Sequence, residues 1–503
     1  MKRQTVLAAC AILCGLVATL LAPGIVHADV GIKGRAYTAG TSGPPTTSKP
    51  ESKLWFNDGF WWAVMAKKVT PTNNDYHIFR LNLRKQRWID TGVPVDTRDS
   101  SRQDVLRTGS KLLVASHKYA GVSHNNPVPN PGDEMRLYRF SYNAGSNTYS
   151  SDGAFATIDT QKSETLVIDK DSTGAVWATW VQESGATHQV YVKKSDGDCV
   201  GGALANCNFS GPTVTLDAAV SADDISSIVS FGGNKVGAMW SDTSDPANGQ
   251  MQFAVHQDGD AVGTWSTETA ISGRKTADDH INLKADSHGR VYAATKTKFS
   301  GQTNPGTMLL RRAPNGTWSH FTVSQGSLDH TRPIVLLDEQ HNRIRVFEGS
   351  VHNTAIFMKT SRLGKISFPV FKAGARVIRE NGSQMANPTS TKQEISNATR
   401  LIVLATNPTT KHYWHAYFQI IPCIKGTAAN NTMVGTRGND ALCGLGGNDT
   451  LKGLAGKDRL VGGKGNDTFI ARDAFRDVLR GGPGHDRAHV NASDVLHSIE
   501  VIF

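Results

Sequence analysis

Aspartate returns every ninth position near the carboxyl end of the chain, at Asp440, Asp449, Asp458 and Asp467, and Asn431 stands nine residues before the first. Set in rows of nine from Gly426, the segment reads GTAANNTMV, GTRGNDALC, GLGGNDTLK, GLAGKDRLV and GGKGNDTFI. The eighth position is Met433, Leu442, Leu451, Leu460 or Phe469, so each row joins a polar turn to a short strand with one inward apolar residue. Glycine permits the left-handed, tightly bent backbone that turns carbonyl oxygens inward, and each Asp adds a hard anionic oxygen. That donor set suits Ca²⁺, which takes about six to eight oxygen ligands, whereas transition metals ask for nitrogen or sulfur. A flexible linker has no need of an apolar residue in every row.

A second set of reactive side chains is spread over the preceding 300-odd residues, in the clusters DSSRQD, QKSETL, SADDIS, TADDHIN, SLDHTRP and NGSQMAN. They hold Arg102, Asp104, Glu164, Asp223, Asp224, Asp278, Asp279, His280, Asp329, His330 and Arg332. Carboxylates beside histidines can do general acid and base work or hold a cation. The same residue types also cap turns and hydrogen-bond neighbouring elements. The catalytic candidates are Asp279, His280, Asp329, His330 and Arg332, the histidines and aspartates as an acid/base pair and Arg332 neutralising an acidic sugar. A polysaccharide lyase or glycosidase would use them so, and a non-catalytic binding surface would not.

What gathers these clusters is a repeat. A turn rich in Gly, Asn and Asp, then an apolar strand, recurs seven times, with the first apolar residue at Phe60, Leu112, Val176, Val236, Val291, Ile344 and Leu401, spaced 52 to 64 residues apart. Each is followed by a second strand, and several reach an outer one near Trp88, Trp265 or Trp318. Seven units of three to four strands predict an all-β, seven-bladed β-propeller, with a pair of β-sandwiches or a ring of six or eight blades as alternatives. Closure is expected to pair the first strand, near Ile32 to Tyr37, with the last unit, leaving no long bare sheet edge. Innermost strands begin at the channel, so the polar clusters form a ring at one mouth. Trp61 and Trp62 are core residues of a blade or, if exposed, platforms for sugar rings.

The nonapeptide rows resemble the haemolysin-type (RTX) calcium-binding repeats, whose pattern is G-G-x-G-x-D-x-U-x. The resemblance covers about 60 residues and implies a parallel β-roll with two rows per turn and an ion between rows two apart. Asp440 then faces Asp458 across one ion and Asp449 faces Asp467 across another, with a weaker site at Asn431 and Asp449. The row Ala471 to Arg480 breaks the phase, GGPGHDRAH restores it around Asp486, the last candidate ligand, and SDVLHSIEVIF reads as a cap. Lys452, Lys457, Arg459 and Lys464 temper the charge of the roll. The resemblance implies a segment that is disordered at cytosolic calcium and folds outside the cell. The units KLWFNDGFWWAV and DDHINLKADSHGRVYAATKT look like those of uncharacterised secreted bacterial β-propellers, a likeness that carries no activity with it. Sialidase Asp boxes are missing, since DGDAVGTW, Asp258 to Trp265, lacks the required Ser and Gly, and WD and kelch signatures are absent too.

The amino end reads as a secretory signal peptide over residues 1–28, with Lys2 and Arg3, an apolar run and Val26-His27-Ala28 at its close. A lipid anchor at Cys10 is the alternative, but too little apolar chain precedes it. The domain plan is a leader over 1–28, a propeller over 29–421 and a calcium-binding roll over 422–503. Of six cysteines, Cys199 with Cys207 and Cys423 with Cys443 form local pairs, expected as disulfides in an oxidising compartment because their spacing fits no zinc pattern. The net charge of +10 is scattered without basic runs, which speaks against nucleic acid as a partner. No segment after the leader reaches the roughly 20 apolar residues of a spanning helix. The expected molecule is a secreted, calcium-binding protein whose propeller binds an extracellular glycan or a surface protein.

Overall fold

The computed structural model describes residues 30–38, 43–46, 49–71, 73–119, 131–185, 187–299, 303–350, 355–418 and 423–503. The expected leader and Cys10 lie outside these residues, as does 421, where the propeller was expected to end. No helix among the described residues is long and apolar enough to cross a membrane.

Seven antiparallel sheets form a β-propeller, and six of the seven marker residues fall in the second strand of their blade, while Leu401 falls in the innermost regular strand of the last one. In blade I, for example, Phe60–Lys68 lies between Leu54–Asn57 and Asn74–Asn82, with Arg87–Asp96 outermost. The innermost strands of blades I to VI are Leu54–Asn57, Ser101–Thr108, Val167–Lys170, Ser226–Phe231, Ile281–Ala285 and His330–Asp338. Blade VII departs from this plan. It holds Leu401–Asn407 and His412–Phe418, while its inner position is an irregular segment in which Thr389 bridges Leu404. Its outermost strand comes from the other end of the chain: Ile32–Ala36 pairs with His412–Phe418, Ile32 opposite His415 and Ala36 opposite His412. Closure by the first strand therefore occurs as expected, and Leu54 bridging Thr391 joins the inner ring across the same seam.

Apolar strand faces meet between blades rather than in one central core. Leu54, Trp55, Trp62, Phe79, Val105, Leu404 and Tyr413 belong to one such cluster spanning blades VII, I and II. Burial of each large side chain contributes roughly 1.5–3 kcal/mol. Trp61 and Trp62 are completely buried, their indole N–H groups donating to the carbonyls of Thr399 (2.7 Å) and Asn57 (3.2 Å), so neither is a sugar platform. Cys199 and Cys207 are bonded within blade III, beside the anchor that Arg139 makes to the Cys199 carbonyl.

The tail is a parallel solenoid of two five-stranded sheets, one starting at Ile424–Lys425 and the other at Thr432–Val434. Residues 18 apart stack, Leu442 on Leu460 and Leu451 on Phe469, and after the irregular row the step is 19, with Leu460 on Leu479 and Phe469 on Ala488. Row 471–480 is one residue longer, and its turn absorbs the extra residue without loss of strand register. The ending is not a separate cap: Val495–His497 and Val501–Ile502 supply the last strand of each sheet. A disulfide from Cys423 to Cys443 ties the start of the roll to its next turn.

Candidate functional site

Each aspartate of the roll is fixed through one carboxylate oxygen. The Asp440 N–H donates to Asp458 Oδ1 (2.8 Å), Asp449 N–H to Asp467 Oδ1 (2.9 Å), Asp458 N–H to Asp477 Oδ1 (2.8 Å) and Asp467 N–H to Asp486 Oδ1 (2.8 Å). The Asn431 N–H donates to Asp449 Oδ1 in the same way (2.7 Å). The second oxygens divide the set. Oδ2 of Asp449, Asp458, Asp467, Asp477 and Asp486 is buried with no hydrogen-bond partner. Asp440 Oδ2 is already satisfied, accepting from the Thr436 N–H (2.6 Å) and hydroxyl (2.9 Å), and Asn431 Oδ1 accepts from the Thr427 N–H (2.6 Å).

Buried anionic oxygens without donors are costly unless a cation meets them. Burial, reinforced by facing carboxylates, pushes Asp458 and Asp467 up to about 6 and Asp477 up to about 7. A hard dication answers this requirement, and the oxygen-only donor set fits Ca²⁺. The rows' first glycines are there for room. A Cβ on Gly444 or Gly462 would stand 2.0 Å from Oδ2 of Asp449 or Asp467. Asp477, overlooked in sequence because the longer row displaces it from the ninefold count, occupies an equivalent place, and Asp473 brings a third carboxylate to Asp458 and Asp477.

At the channel mouth the structure assembles part of the polar ring around a residue that sequence did not single out. The Lys49 ammonium lies 2.8 Å from Glu164 Oε1 and 3.9 Å from Asp223 Oδ1, and it contacts Asp279 Oδ2, so one cation joins carboxylates from three successive blades. The chain then runs inward through Glu51, whose carboxylate meets His117 Nε2 (2.7 Å) and Lys53 Nζ (2.9 Å). His280 is buried with Asp279 Oδ1 at 2.7 Å from Nδ1, yet neither ring nitrogen makes a hydrogen bond. Burial and the Lys49 charge depress its pKa well below the ordinary range, so the imidazole is neutral. Arg332, in the left-handed region with φ 54°, lines a cavity of about 300 Å³ together with Pro44 and Met385. Tyr119, also unnoticed in sequence, stacks its ring under the Arg102 guanidinium at 5.2 Å.

The remaining ring candidates are engaged in the scaffold. His330 Nδ1 is 3.0 Å from Glu348 Oε2, and the ring stacks on Phe357 at 4.8 Å, inside blade VI. His280 and His330 therefore do not meet at the floor of one pocket. Asp104 accepts from the backbone N–H groups of Ser52 (2.8 Å) and Ile168 (2.9 Å), stitching blade II to both neighbours. Asp224 caps a turn through the N–H groups of Ser221 (2.8 Å) and Thr243 (2.9 Å). Asp278 pairs with Lys296 (2.5 Å), and Asp329 ends a short 3₁₀ turn with φ 53°.

Residues 425–442 and 444–473 match the model of the RTX calcium-binding nonapeptide repeat in four copies. The class these observations define is a seven-bladed β-propeller carrying RTX calcium-binding repeats in a C-terminal parallel solenoid. No curated protein matches the chain. Among solved structures, the chain is similar to the polysaccharide lyase Uly1, at 9% identity and TM-score 0.43 over 75% of this chain and 91% of that one. It is also similar to a protein of unknown function from Dyadobacter fermentans, at 12% identity and TM-score 0.42 over 63% and 93% of the two chains. A third likeness is to an α-L-arabinofuranosidase of Fusarium graminearum, at 9% identity and TM-score 0.39 over 67% and 99%.

Proposed function

We propose that this is an exported protein whose roll, residues 422–503, is ordered by Ca²⁺, and whose propeller, residues 29–421 after a leader over 1–28, binds an extracellular glycan or surface protein without transforming it. The observation that carries the calcium half is the row of buried, donor-free Oδ2 atoms at Asp449, Asp458, Asp467, Asp477 and Asp486. Those residues, with Asp440 and Asn431 at the more weakly demanding end, would hold the ions, which supply positive charge where the fold has concentrated negative charge. The binding half is supported by the mouth: Lys49 already neutralises the carboxylate cluster, and His330 is committed to Glu348. An acid/base pair at that mouth thus lacks one of its members.

The test uses the full mature chain. Calcium is titrated in while circular dichroism and thermal melting are followed, with an Asp449→Ala/Asp467→Ala double variant beside it. The expected result is a calcium-dependent gain of β signal and melting temperature that the double variant loses; identical curves with and without chelator would refute the calcium half. Incubation with acidic and neutral polysaccharides is expected to show retention of the polymer with no new chain ends. Release of fragments that disappears in Asp279→Asn would replace binding with the lyase or glycosidase reading.

A further inference from the structure

Beyond the mouth, the innermost strands surround a cavity of about 240 Å³ along the central channel, reached by Val167, Ile228 and Leu283 from three of the blades. Its charge is unbalanced in the sense opposite to the mouth. Four basic residues line it, Arg107, Lys170, Lys284 and Lys392, against one lining carboxylate, Asp169. Asp169 is occupied by backbone donors, Oδ1 with the Lys170 N–H (2.8 Å) and Oδ2 with the Ser230 N–H (2.9 Å). Asp104, just behind the wall, is used by Ser52, Ile168 and the Lys392 ammonium at 2.7 Å.

Lys284 is left over. It is 6% exposed, sits on the regular strand Ile281–Ala285, and its ammonium has no hydrogen bond or ion pair among the described residues. Arg107 repeats the pattern in part: Nη2 donates to Asn57 Oδ1 (2.8 Å), but Nε is buried without a partner. Burying an ammonium without an acceptor is expensive, and replacing Lys284 by an apolar residue would cost the blade nothing evident. A donor kept at such expense beside an open cavity has a ligand to meet.

We propose that the central channel binds a small oxyanion, a carboxylate or a sulfate, through the Lys284 ammonium, with Lys392 and Arg107 flanking it. The site stands apart from the calcium roll and does not depend on which face of the propeller takes a macromolecule. Without an anion, burial and the Lys392 charge lower Lys284 to about 7, while Asp104 and Asp169 oppose the shift only partly. An anion alongside restores its proton, so binding at pH 8 takes up a proton from the buffer.

Isothermal titration of the calcium-loaded full chain with sodium sulfate and, separately, sodium glucuronate at pH 8, in two buffers of different ionisation heat, tests this. The expected result is saturable binding of at least one anion with proton uptake, weakened by ~10-fold or more in Lys284→Met, as loss of a charged hydrogen-bond donor requires. Lys284→Arg, which cannot lose its charge, keeps the binding and abolishes the proton uptake. Binding of sulfate alone identifies an inorganic site, and binding of glucuronate a site for acidic sugars. No saturable heat from either anion, or wild-type affinity in a folded Lys284→Met, overturns the proposal.

Discussion

Asp440 and Asp467 hold the same place in their rows but differ in what their second oxygen touches: Thr436 satisfies Asp440 Oδ2, and nothing satisfies that of Asp467. Asp467→Asn is therefore expected to lower calcium affinity by about tenfold or more, and Asp440→Asn by clearly less, in calcium titrations of the two variants. Asp477→Asn should resemble Asp467→Asn. Lys284 gives a pH dependence whose sign is fixed by burial. Its folded pKa of about 7 lies below the ordinary lysine value near 10.5, so the unfolded chain binds more protons between those limits. Its penalty is complete below pH 7 and relieved as pH rises, so in anion-free buffer wild type gains melting temperature from pH 7 to 9 relative to Lys284→Met. The aspartates were legible because their period is strict, and Asp477 was lost where a ten-residue row breaks it. Lys49 and Tyr119 carry no mark in sequence, since only ring closure brings residue 49 to carboxylates more than 100 residues away.

At the scale of the row and the strand, the roll stands on two facing apolar stacks, one from each sheet, Leu442, Leu460 and Leu479 against Leu451 and Phe469, each residue completely buried. Leu451→Ala should cost about 2–5 kcal/mol, since its neighbours in both stacks are fixed by the strand ladders and cannot collapse into the cavity. Gly462→Ala should be as damaging for a different reason, its Cβ falling where Asp467 Oδ2 stands, and calcium should rescue it poorly because the same oxygen is displaced. Calcium-dependent melting curves separate the two: the Leu451 variant shifts downward at every calcium concentration, whereas the Gly462 variant also loses calcium sensitivity. The strand carrying each blade's marker residue could be read from its turn and apolar run. Blade VII's inner edge could not, because NGSQMAN leads into a segment held by isolated bridges, Thr389 to Leu404 and Thr391 to Leu54, rather than a ladder.

Over the whole molecule, two kinds of stability meet in one chain. The propeller buries its tryptophans and leucines between blades and closes its ring through Ile32–Ala36, contacts made of apolar side chains and backbone strand pairing. The roll has little beyond one narrow apolar cluster between its two sheets and a disulfide to set against chain entropy and the repulsion of facing carboxylates. Chelation should therefore act on one part only. Scanning calorimetry of the full chain with excess chelator is expected to keep the propeller transition in place and to remove or lower that of the roll. Calcium then restores the roll by mass action, and once the sites are saturated each tenfold rise in free calcium adds about 1.4 kcal/mol per ion bound. Because donor-free oxygens occur in five rows, the slope should exceed that of a single ion. A slope of one ion would mean that most of these carboxylates answer to something other than calcium, and a propeller transition that moves with the roll would mean that the ions stabilise the chain as a single cooperative unit.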